Sequence, residues 1–207
     1  MIEVFDCEQG SDAWLAARLG IPTASEFHTV LRQHGRKKSD PSLTRRKYML
    51  TLIGERMTGQ PSSNLNLRNF ERGHAMEPEA RRLYAFAKDV DVQQVGFIRN
   101  GDKGASPDGL VGNDGMVEFK SKEPHILLDV HLNDEIPSEH HCQLYGGLWV
   151  AEREWIDFVA YWPGIEPFIR RVHRDEKRIK EIEFGVTVFL NELADLMEQI
   201  EQRQRVA

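Results

Sequence analysis

The chain has 207 residues, 40% hydrophobic and 29% charged, with a net charge of −6. That is the profile of a globular protein able to bury a substantial core, and it argues against holding nucleic acid by bulk positive charge. No run approaches the roughly 18 apolar residues of a membrane span, residues 1–15 lack the basic-then-apolar pattern of a signal peptide, and Cys7 and Cys142 are too few for a four-cysteine zinc or iron–sulfur site; a cytoplasmic protein with reduced thiols is expected.

In chain order, SDAWLAAR (11–18) predicts a short helix with Ser11 as N-cap and Gly20 as stop, and SEFHTVLR (25–32) a second. QHGRKKSDPS reads as a polar loop. Near-helical spacing of Leu43, Met49, Leu50, Leu52, Ile53 and Met57 predicts a helix over 43–57. GQPSSN is a loop, and a longer helix is expected over 66–88, with Pro78 marking a start or kink because proline lacks an N–H. VDVQQVGFIRN, KGASPDGLVG and GMVEFKS then read as three consecutive strands. Helices over 124–132 and 138–152, strands over 155–162 and 167–174, and a long amphipathic helix from Asp175 complete the chain. The order fits a single domain over 1–207, an α/β (α+β) fold with one mixed sheet flanked by helices.

Charge is uneven. Residues 32–47 carry seven basic side chains against Asp40 alone, a net of +6 that leaves −12 elsewhere. Such runs are usually solvated loops, and the alternative is a phosphate-tracking arm.

The stretch ASPDGLVGNDGMVEFKSK (105–122) holds the chemistry. Glu118 and Lys120 sit at i and i+2, on one face of a strand, and Asp108 lies on the strand before it across a Gly-Asn-Asp-Gly turn. Two carboxylates on adjacent strands suit a hard divalent cation, with the Phe119 carbonyl between them as a further ligand. A lysine beside such an ion can orient or help deprotonate a metal-bound water, or stabilise charge developing on a phosphate, the apparatus of metal-assisted hydrolysis. The same alternation also describes any half-buried strand with a solvated face. Glu77 in GHAMEPEAR is a candidate third carboxylate, against the alternative of a first-turn glutamate favoured by the helix dipole. Gln143 and Tyr145 lie in a helix beside Gly146-Gly147, a pair that permits close packing. The four tryptophans read as core or subunit contacts, and His140-His141 as unable to share one zinc, since adjacent helical residues point about 100° apart.

With these motifs in this order, the sequence resembles the phage lambda exonuclease / YqaJ-type alkaline exonucleases, within the restriction-endonuclease-like PD-(D/E)xK fold. QGSDAWLAARLGIPTAS is similar to the family's N-terminal stretch, GHAMEPEAR to its helix glutamate, SPDGLVGNDGMVEFK to its SPDG…ExK pattern and HCQLYGGLWV to its glutamine helix. The resemblance implies Mg²⁺ (Mn²⁺ as an alternative), two ions in all, at Asp108, Glu118, Phe119 and Glu77, and catalysis by Lys120, Glu118, Asp108, Gln143 and Tyr145. It also implies a 5′-phosphate pocket of Arg18, Ser25 and Ser106, and DNA contacts from Arg45, Arg46 and Lys47. The activity implied is 5′→3′ digestion of one strand of duplex DNA, in a homotrimeric ring, with a strand-annealing protein as partner. Ile98 stands where some members carry a further acid, which leaves the holding of the second ion open. The alternatives are an endonuclease or junction resolvase on the same fold, a non-catalytic DNA-binding module, and an iron–sulfur RecB-like nuclease, which the cysteine count disfavours.

Overall fold

Among the described residues, seven strands and two helices form the middle of the chain, with helices on either side. The computed structural model describes residues 1–34, 42–62 and 67–206, the side chains of 67–74 and 206 excepted. Strand β1 (Ile2–Phe5) leads into α1 (Asp12–Ala17), where Ser11 caps the Trp14 amide as expected. A 3-10 turn (Ala24–Glu26) precedes α2 (Phe27–Leu31). Helix α3 (Leu43–Thr58) starts at Ser42, whose hydroxyl accepts from the Arg45 amide, and stops at left-handed Gly59. Helix α4 (Leu67–Lys88) runs through Pro78 rather than starting there. Strands β2 (Val92–Gln93), β3 (Phe97–Asn100), β4 (Lys103–Ala105), β5 (Gly109–Val111) and β6 (Gly115–Ser121) follow, then α5 (Pro124–Asn133), α6 (Ser138–Ala151), β7 (Trp155–Tyr161), β8 (Phe168–His173) and α7 (Glu176–Val206).

The strands divide into two sheets where one was expected: a three-stranded antiparallel sheet ordered β1-β3-β4 and a five-stranded mixed sheet ordered β2-β5-β6-β7-β8. Two segments expected as single strands each cross from one sheet to the other. The first breaks between Gln93 and Phe97, so that β2 joins β5 while β3 joins β1. The second breaks at Ser106-Pro107-Asp108, where proline cannot donate to a ladder. Strand β1 had no counterpart among the predicted elements.

The core lies on both faces of the larger sheet. Met116 of β6 packs with Phe27, Leu144, Leu148 and Phe189 from the helices on one side. Val117 and Phe119 face the other side and pack with Ala80 and Tyr84 of α4. The parallel β6–β7 pair needs a crossover, which α5 and α6 supply. Close packing at the glycine pair is seen at Gly146, where a Cβ would lie 2.5 Å from the Phe27 ring.

Candidate active site

The hairpin of β5 and β6 pairs Gly109 with Val117 and goes no further. Beyond that register β6 continues to Ser121 without β5 beside it. The Phe119 N–H, facing the vacated edge, donates instead to Asp108 Oδ2 at 2.7 Å. The N–H and C=O of one strand residue face the same neighbour, so the Phe119 carbonyl looks onto that edge too. Gly109 is needed here, since a Cβ would meet Val92 Cγ1 at 2.2 Å.

Glu118 and Lys120 lie on the face toward α6, as their i, i+2 spacing predicts. Glu118 is only 5% exposed, so this is no solvated strand face. Its Oε1 accepts from Lys120 Nζ and from Gln143 Nε2, each at 2.6 Å. Glu77 comes from α4 on the opposite face, in mid-helix rather than in a first turn, and bonds Arg81. Arg81 Nη2 also reaches the Asp108 carbonyl oxygen at 3.4 Å. Carboxylates from both layers thus meet at one sheet edge.

Their mutual repulsion is visible in protonation. Burial, then Glu118, then Glu77, push the Asp108 carboxyl well above its ordinary range. Burial works to lower Lys120, but Glu118 and Asp108 outweigh it and the ammonium is held protonated. Among the described residues no three His, Cys, Asp or Glu side chains form a closed metal cage. Mg²⁺ does not require one, since it keeps several waters and binds through one or two carboxylates. The donor set of Asp108, Glu118 and the Phe119 edge therefore fits a hard divalent ion.

Two of the three phosphate candidates meet on one indole. The Arg18 guanidinium stacks on Trp14 at 4.1 Å, and Trp14 Nε1 donates to Ser106 Oγ at 2.8 Å. Ser106 is two residues from Asp108, which ties this group to the carboxylates. Arg18 also lines a cavity of about 430 Å³ together with Lys47 and Tyr48. Burial lowers the Arg18 pKa, offset in part by Tyr48, Glu55 and Glu26. Ser25 is exposed and shares a 3.2 Å hydrogen bond with Thr23, whose amide donates to the Tyr48 hydroxyl.

Other expected residues lie elsewhere. Tyr145 is not brought to the carboxylates: two helical steps from Gln143 turn it about 200° away, where it stacks with His141 and lies 5.1 Å under Arg178. Arg45 is not a DNA-facing side chain. It is 9% exposed, donates from Nε to the Val30 carbonyl, pairs with Glu192 and lies over Phe189, joining α2, α3 and α7. Arg46 and Lys47 are exposed, and Arg36, Lys37 and Lys38 of the basic run lie outside the described residues. Ile98 is 2% exposed in the apolar core. His140 packs against Phe158, and burial, Lys122 and Lys120 drive its pKa down to about 3, so it is neutral. Sequence reasoning missed Arg81 and the role of Trp14. Each stands four residues from a residue already singled out, Glu77 and Arg18, and that spacing was the available signal.

A model of the YqaJ-like viral recombinase domain matches residues 13–154. The chain belongs to that family. A solved alkaline exonuclease from Laribacter hongkongensis, LHK-Exo, is similar to this YqaJ-like chain at 31% identity, with a TM-score of 0.82, over 95% of this chain and 100% of that one. LHK-Exo in complex with dAMP matches over the same spans at 31% identity and a TM-score of 0.84. A phage-related exonuclease from Haemophilus somnus 129PT, 14% identical, shares the fold over 87% of this chain and 96% of its own, with a TM-score of 0.65. No curated protein sequence matches. Among the described residues no helix is long and apolar enough to cross a membrane.

Proposed function

We propose that the protein is a Mg²⁺-dependent exodeoxyribonuclease that enters linear duplex DNA at a 5′-phosphorylated end. It degrades that strand 5′→3′, releases 5′-mononucleotides and leaves a 3′ overhang for a strand-annealing partner. The observation that carries this is the buried Glu118, held between Lys120 and Gln143, beside an Asp108 that the Phe119 amide fixes. Support comes from the family and from a relative at 31% identity that is an alkaline exonuclease, solved with a mononucleotide, dAMP.

Asp108, Glu118 and the Phe119 carbonyl would hold the ion, with Glu77 assisting directly or through water. A bound divalent ion supplies Lewis-acid polarisation of the phosphodiester and a more acidic water. Lys120 would activate the attacking water and offset charge developing on the phosphate. Gln143 fixes the Glu118 rotamer. Arg18 offers a planar fork to a terminal phosphate, with Ser106 and Ser25 as hydroxyl donors. Such a pocket selects a free 5′ end, which an internal cutter has no need to do. A second ion would be held without position 98, because Ile98 is sealed in the core. A homotrimeric ring with Arg46 and Lys47 toward the DNA would retain the substrate topologically despite the acidic balance of the chain.

Digestion of linear 5′-phosphorylated duplex beside covalently closed supercoiled duplex tests this. Mg²⁺ should yield mononucleotides from the linear form alone, and Ca²⁺ should allow binding without cleavage. Nicking or linearisation of the closed circle would identify an endonuclease and overturn the proposal.

A further inference from the structure

We propose that Arg81 is the positioning residue that holds Glu77 against the metal-binding carboxylates; this rests on the metal site of the proposed function. Residues 77, 80, 81 and 84 occupy one face of α4 at i, i+3, i+4 and i+7. Ala80 and Tyr84 are 2% and 0% exposed and pack on Val117 and Phe119. The Tyr84 hydroxyl donates to Asp157 Oδ2 at 2.7 Å, which fixes the rotation of the helix on the sheet. The polar part of the same face, Glu77 and Arg81, therefore lands where β5 has ended and Asp108 begins.

There, one guanidinium meets three residues of the site. Arg81 Nη2 donates to Glu77 Oε1 and to the Asp108 carbonyl oxygen, and the group lies 6.0 Å from the Phe119 ring. The blander account is an i, i+4 pair that steadies a helix. On a helix surface such a pair contributes only about 0.2–0.5 kcal/mol, and this one is half-buried, its side chains 15% and 19% exposed. Partial burial adds a desolvation penalty that sets against so small a gain. Its bond to a second element, at the backbone of Asp108, has no part in helix support either. Metal-binding carboxylates are commonly oriented by an outer partner of this kind, and losing it weakens metal binding about 10- to 100-fold.

The test compares Glu77→Ala, Arg81→Ala, Arg81→Lys and the Glu77→Ala/Arg81→Ala double variant. Two quantities are read: the Mg²⁺ concentration for half-maximal digestion, and Ca²⁺ affinity by calorimetry without turnover. Arg81→Ala should weaken both about 10-fold or more, Arg81→Lys should recover part of the loss, and the double variant should be no worse than Glu77→Ala. Should Arg81→Ala fold poorly, Arg81→Gln removes the charge while keeping length and a donor, and the same expectation applies to it. Unchanged Ca²⁺ affinity in the Arg81 variants, or single losses that multiply in the double variant, overturns the proposal. Asp108→Ala separates the two levels: if it too leaves Ca²⁺ affinity unchanged, the metal site itself is wrong, whereas loss there with no effect at Arg81 refutes only the positioning role.

Discussion

Asp108→Asn should make the metal-free protein more stable while abolishing its activity. Three carboxylates, Asp108, Glu118 and Glu77, meet two cations, Lys120 and Arg81, at the sheet edge. The surplus negative charge falls on Asp108, whose carboxyl is pushed up by burial first and then by Glu118 and Glu77. Asparagine removes that charge and keeps an oxygen for the Phe119 N–H. The gain should be about 1–2 kcal/mol, the size of typical stabilising substitutions. For a chain of 207 residues that is about 3–6 °C in melting temperature. The sign follows from linkage. A carboxyl with a raised folded pKa favours the folded state at low pH, and that contribution is lost as pH rises from the unfolded pKa through the folded one. The advantage of Asp108→Asn in EDTA should therefore grow with pH across that window. Thermal melts in EDTA at several pH values, repeated with Mg²⁺, provide the assay. Mg²⁺ should raise the wild-type melting temperature more than that of the variant. A variant that melts below wild type in EDTA at neutral pH would refute the account of a strained carboxylate cluster.

Arg18→Ala should lose the preference for 5′-phosphorylated over 5′-hydroxyl ends; an unchanged ratio of initial digestion rates on the two substrates would remove Arg18 from the phosphate pocket. Arg45→Ala should cost about 2 kcal/mol in urea unfolding by leaving the Val30 carbonyl unpaired, with little from the half-exposed Glu192 partner. Replacing Arg46 and Lys47 by alanine should leave stability within about 0.5 kcal/mol but lower processivity and flatten the salt dependence of DNA binding. An unchanged salt slope would argue against their contact with DNA.

Much of the site could be read from the sequence because strand periodicity fixes sides without tertiary knowledge. Glu118 and Lys120 at i and i+2 had to share a face, and the Gly-Asn-Asp-Gly turn had to bring Asp108 near them. Tertiary packing decided what was missed. Ser106-Pro107 marked a break in the ladder, yet only the partners of β4 and β5 reveal that the chain changes sheets there. Arg45 belongs to a basic run that reads as solvated, but its place on α3 points it at α2 and α7. Tyr145 stands two residues from Gln143 in sequence and on the other side of α6 in space. Pro78 suggested a helix start or kink, and α4 runs on through it, with Ala80 and Tyr84 packed on the sheet. The Glu77–Arg81 spacing was available, but burial of the pair was not, and burial is what separates a positioning contact from an ordinary surface pair.

The most direct measurement is single-turnover release of mononucleotides from linear 5′-phosphorylated duplex with saturating Mg²⁺, comparing wild type with Lys120→Ala at matched DNA occupancy. Wild type should release 5′-mononucleotides from the 5′ ends, and Lys120→Ala should bind the same DNA while cleaving at least about 100-fold more slowly. A Lys120→Ala protein that cleaves at the wild-type rate would contradict the assignment of Asp108, Glu118 and Lys120 as the catalytic centre.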